Sequence, residues 1–88
     1  MPQLKRTVIE FWATWCQPCK VQHKELDRLA ELRKDIEVLR YDIAQHPDLV
    51  AKYGVKTVPY IIYEQEGNPP LDAAGLHTAE KLMKRFGL

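Results

Sequence analysis

Hydrophobic residues fall into short runs whose period changes along the chain. Thr7-Val8-Ile9-Glu10-Phe11-Trp12-Ala13 is β-branched, aromatic and almost continuously apolar, which predicts a strand covered on both faces. Glu10 is the one charged residue inside it. The pattern then turns helical. Cys19, His23, Leu26 and Ala30 are spaced 4, 3 and 4, which predicts an inward stripe, bordered by Leu29 and Arg33, on a helix from Cys16 or Gln17 to Lys34. Pro18 suits the first turn of that helix, where no backbone donor is missed.

A second strand is predicted from Ile36 to Ile43, and a short helix from His46 to Gly54, with Pro47 near its start and Gly54 as its stop. Pro59 to Glu64 reads as a third strand, Gln65 to Pro70 as a turn-rich loop, and Leu71 to Gly75 as a short fourth strand. Thr78 then caps a last helix with Ala79, Leu82, Met83 and Phe86 at i, i+3, i+4 and i+7. The order is β-α-β-α-β-β-α, an α/β arrangement. Its first β-α-β is expected to be a parallel unit and its last two strands a hairpin.

Composition narrows the function classes. The 88 residues suit one domain, 1–88, and 45% hydrophobic content supplies one small core, so disorder is excluded as the main state. A net charge of +1, with basic and acidic residues interleaved, gives no electrostatic case for nucleic acid. No apolar run approaches the roughly 20 residues that span a bilayer. Met1 to Arg6 carries no apolar core of a secretory leader. A cytoplasmic protein, monomeric and without membrane or nucleic-acid partners, is the expectation.

The two cysteines, Cys16 and Cys19, lie in Trp15-Cys16-Gln17-Pro18-Cys19. So short a loop is a poor structural staple, because closing it removes little unfolded-state entropy. In a reducing compartment the pair reads as catalytic or metal-binding. At a helix start, free N–H groups and the positive end of the helix dipole favour a thiolate at Cys16, expected to be exposed there, while Cys19 lies one turn further on the inward stripe. Cys16 is then the nucleophile and Cys19 the thiol that resolves the mixed disulfide. The metal alternative has Cys16, Cys19 and His23 as three ligands, but no second cysteine pair and no paired histidines complete a zinc set. Haem attachment needs a histidine after Cys19, and that residue is Lys20.

Glu10-Phe11-Trp12-Ala13-Thr14-Trp15-Cys16-Gln17-Pro18-Cys19-Lys20 resembles the thioredoxin family from its buried acidic residue through its active site. Lys52-Tyr53-Gly54-Val55-Lys56-Thr57-Val58-Pro59 resembles the segment ending in that family's cis-proline, and Gly75 falls at its glycine before the last helix. The resemblance runs from about residue 7 to the end. It implies a thioredoxin-like fold with a four-stranded mixed sheet flanked by helices, lacking the extra N-terminal strand and helix of a typical member. Gln17 replaces the usual glycine, Lys24 a kinking proline and Glu10 the usual aspartate; Thr57 and Tyr60 also depart from the pattern.

The resemblance implies a thiol–disulfide oxidoreductase that reduces protein disulfides and is recycled by a thioredoxin reductase or another thiol reductant, with no bound cofactor and no metal. Glu10 is then a buried general base for Cys19, set against the plainer reading of an exposed carboxylate at a sheet edge. Arg40, on the next strand, is either its partner or a solvated cation. Trp15, Gln17, Pro18, Val58, Pro59 and Gly75 are the expected substrate contacts, with the Val58 backbone offered to an extended peptide. His23 is expected to be a satisfied core residue. The competing functions are a non-catalytic binding module using the Pro59 groove and a metal or iron–sulfur carrier built on the two cysteines.

Overall fold

The computed structural model describes residues 5–88; Met1 to Leu4, part of the stretch read for a leader, lie outside the described residues. The chain runs β1 (Arg6–Trp12), α1 (Gln17–Leu32), β2 (Ile36–Asp42), α2 (Pro47–Tyr53), β3 (Tyr60–Gln65), β4 (Leu71–Ala74) and α3 (Ala79–Arg85). The order matches that read from the pattern, with ends moved by one or two residues. The strands form one sheet in the order β2-β1-β3-β4. β1 is parallel to β2, and the β1–β3 and β3–β4 pairs are antiparallel.

Alternation along β1 sends Val8 to a core with Leu26 and Leu29 of α1, Ala79 and Leu82 of α3, and Phe86 at its C-terminal cap. Ile9 and Phe11 point the other way and meet half-buried residues of α2 and its flanks, including Leu49, Val50 and Tyr53. Gly54 ends α2 at φ 66, a left-handed conformation that favours glycine, and its N–H reaches back to the Val50 and Ala51 carbonyls.

The inward stripe of α1 is rotated from its expected line. Cys19, Gln22, Leu26 and Leu29 are its buried residues, whereas His23 and Ala30 are half-buried. The reason is α3, which packs beside α1. Gln22 donates to the His77 carbonyl (3.0 Å) and accepts from the His77 N–H (2.9 Å). One turn on, Glu25 Oε1 accepts the Ala79 N–H at 2.9 Å, and Thr78 Oγ1 accepts from Lys81 at 3.2 Å. Polar side chains of α1 thus hold the start of α3 and the His77 backbone that leads into it from Gly75. Gln22→Ala should lower stability by about 1–3 kcal/mol, because a buried two-bond tie is lost. Urea unfolding measures it; a change within about 0.5 kcal/mol would mean that the tie contributes nothing beyond an ordinary surface residue.

Candidate active site

β1 ends at Trp12, and the chain turns through Ala13 to Cys16, where the Cys16 N–H bonds the Ala13 carbonyl at 3.1 Å. Cys16 is the N-cap of α1, with extended backbone, and Gln17 and Pro18 form the first turn. Its sulfur accepts the Cys19 N–H at 3.2 Å, one of the donors a helix start leaves free. Cys16 and Cys19 are disulfide-bonded, with Cα atoms 5.3 Å apart. Electron density on Cys16 sulfur is therefore stabilised where the helix dipole is most positive.

The expected exposure of Cys16 needs correction. It is only 4% exposed, against 1% for Cys19, in a cluster with Ala13. Trp12, Ile43 and Val58 close over it. Two of these come from loops distant in sequence, so helix position alone gave no sign of the cover. The helix start remains accessible around it: Trp15 is 74% exposed, and Gln17 and Pro18 are exposed. A groove of about 150 Å³ runs from Trp15 past Ile43 and Val55 to Val58.

The Val58–Pro59 peptide is cis. Pro59 is buried, Val58 half-buried, and the Pro59 carbonyl accepts the Gly75 N–H at 2.9 Å. Gly75 sits at φ 88, the left-handed region where a side chain is disfavoured. Of the site residues read from the sequence, Cys16, Cys19 and Val58 share one cluster and Gly75 is tied to Pro59.

Glu10 is fully buried, as read for a covered strand and not as an edge carboxylate. Its partner in register on β2 is Arg40, whose Nε lies 3.5 Å from Oε1. On the other side His23 Nε2 lies 3.3 Å from the same oxygen. Neither Glu10 oxygen makes a hydrogen bond of good geometry. Burial pushes the carboxyl up from 4.5 to about 8, outweighing the pull of the Arg40 charge. Burial, then Arg40, pushes the His23 imidazole down. His23 also stands edge-on to Trp12, ring centroids 5.4 Å apart. The expectation of a satisfied core histidine is not met: His23 is half-buried and its Nε2 makes no hydrogen bond, because the group it meets, Glu10, lies on another element that helix spacing does not report. Considered as a third metal ligand, His23 instead faces Glu10; among the described residues no three His, Cys, Asp or Glu side chains gather to hold an ion.

The Glu10 shift has a definite sign. The unfolded chain loses this proton near 4.5 and the folded chain near 8, so the native state binds more protons between those values. Stability contributed at Glu10 is intact below about 4.5, falls as pH rises, and is lowest above about 8. At pH 7 the cost is on the order of 3 kcal/mol. Glu10→Gln should be more stable than the parent at neutral pH and equal to it near pH 4. Urea unfolding of the oxidised proteins from pH 4 to 9 checks this; parallel pH profiles for parent and variant would contradict it.

The thioredoxin family model matches residues 2–86. A thioredoxin of Staphylococcus aureus is 34% identical over 76 residues, covering 85% of this chain and 73% of the relative. A thioredoxin of Mycoplasma genitalium is 28% identical over 82 residues, covering 93% and 80%. Among solved structures, mitochondrial thioredoxin 3 of Saccharomyces cerevisiae in its oxidised form superposes with a TM-score of 0.85 at 26% identity, covering 98% of this chain and 81% of that one. Thioredoxin-2, a component of the malaria parasite protein secretion machinery, gives a TM-score of 0.87 at 25% identity, covering 99% and 85%.

Proposed function

The chain belongs to the thioredoxin family and is a thiol–disulfide oxidoreductase, and from that premise we propose that it reduces protein disulfides in the cytoplasm. The observation that carries the direction of attack is the Cys16–Cys19 disulfide with Cys16 sulfur on the Cys19 N–H at the start of α1. Residues 1–88 act as one domain in this reading. An extended substrate lies along the groove from Trp15 to Val58, over Gln17 and Pro18, with the Val58 backbone and the Pro59–Gly75 junction facing it.

In the reduced protein the Cys16 thiolate attacks one sulfur of the substrate disulfide. An S–S bond forms to Cys16, the other substrate sulfur leaves as a thiolate, and it takes a proton from water. Cys19 then gives its proton to the Glu10 carboxylate and attacks Cys16 sulfur, which expels the second substrate thiolate and leaves the Cys16–Cys19 disulfide. Glu10 suits the task because a carboxyl raised to about 8 lies far closer to a thiol than a solvated carboxyl does, which lowers the cost of the transfer. A thioredoxin reductase, or another thiol reductant such as glutathione, returns two electrons to the disulfide. No bound cofactor enters the cycle.

Cys16→Ser should abolish insulin reduction by dithiothreitol above the uncatalysed rate. Cys19→Ser should retain attack and accumulate a covalent substrate adduct on Cys16, seen by mass spectrometry without reductant. Adducts formed through Cys19 in the Cys16→Ser variant, at the rate of Cys19→Ser, would reverse the assignment.

A further inference from the structure

We propose that His23 is the proton relay between Glu10 and solvent, a positioning residue that acts on the resolving thiol through the buried carboxylate. The inference rests on reading Glu10 as the base for Cys19. Glu10 has no exposed surface, so a proton it takes up has no direct path to water. Two side chains approach its Oε1 from elements packed against β1, Arg40 from β2 and His23 from α1. Arg40 keeps its guanidinium protons throughout the working pH range and cannot accept one. Its Nη2 is also committed to Asp27 Oδ1 at 2.6 Å and to the His23 carbonyl at 3.3 Å.

His23 is different in kind. Its Nε2 is buried, makes no hydrogen bond, and lies 3.3 Å from Oε1, while the side chain as a whole is 31% exposed. One end of the ring therefore meets the carboxyl and the rest reaches water. Trp12, edge-on to the ring, holds that orientation. The charged groups around this contact are Arg40, which disfavours an imidazolium, and Asp27, which favours it.

The proton balance is simple. At neutral pH Glu10 is mostly protonated and must first release that proton to be the base. Its O–H proton passes to His23 Nε2, giving carboxylate and imidazolium, and the imidazolium releases a proton to water. Cys19 then protonates the carboxylate as it attacks. No electron moves in the relay; burial and the Arg40 charge disfavour the imidazolium, so once formed it passes its proton on to water instead of holding it.

The test is stopped-flow reduction of a disulfide substrate, with attack and resolution resolved separately. His23→Phe keeps a ring beside Trp12 and seals Glu10 without a titratable nitrogen; it should slow resolution about tenfold at pH 7 and leave attack by Cys16 unchanged. His23→Ala should also resolve slowly in dilute buffer and recover as imidazole is added, a response that a packing role would not give. Wild-type resolution by His23→Phe between pH 6 and 9, or indifference of His23→Ala to imidazole, would overturn the relay. Glu10→Gln separates the two claims. If it too resolves at the wild-type rate, the base itself is misassigned; if it is slow while His23→Phe is not, only the relay fails. His23→Phe placed on Glu10→Gln should slow resolution no further.

Discussion

Both edges of β1 are hydrogen-bonded, to β2 on one side and β3 on the other, and both faces are covered, so every side chain from Thr7 to Phe11 is shut off from water. That enclosure makes Glu10 a costly residue to ionise, and the proposed role of Glu10 as base for Cys19 depends on it. The same strand ends at Trp12, and its exit sets where α1 begins and which N–H groups face Cys16. An edge strand would have left Glu10 solvated, with a pKa too low to take a proton from Cys19.

The two thiols of one short motif consequently meet different electrostatics. Cys16 caps the helix, where backbone donors favour negative charge. Cys19 is inside the first turn and 1% exposed, where charge is disfavoured until a base is supplied. The proposed division of labour rests on these surroundings, not on the cysteines themselves. Distant segments complete the arrangement: Val58 and Ile43 close over the sulfurs, and Gln22 and Glu25 tie the start of α3 and the His77 backbone to α1.

Element order, the α1 start at the cysteines, the Gly54 stop and the Thr78 cap were legible because each rests on local chemistry: a β-branched run, a proline in a first turn, a left-handed glycine and a side-chain cap. Glu10 and its alignment with Arg40 were legible as a question, and only the strand register answered it. Gln22 was missed because its partners are backbone groups of His77, 55 residues away, and glutamine in a helix normally signals solvent. His23 was placed inward, yet its contact with Glu10 depends on how α1 lies across β1. The burial of Cys16 was unreadable for the same reason, since its cover comes from other segments.

The central claim is that Cys16 ionises easily and Cys19 does not. A pH titration of thiolate absorbance at 240 nm in the reduced protein, repeated in Cys19→Ser to isolate Cys16, measures it most directly. The account predicts that Cys16 ionises below the ordinary thiol value of about 8.5 and Cys19 above it. Two ionisations at or above that value, with no early one surviving in Cys19→Ser, would contradict it.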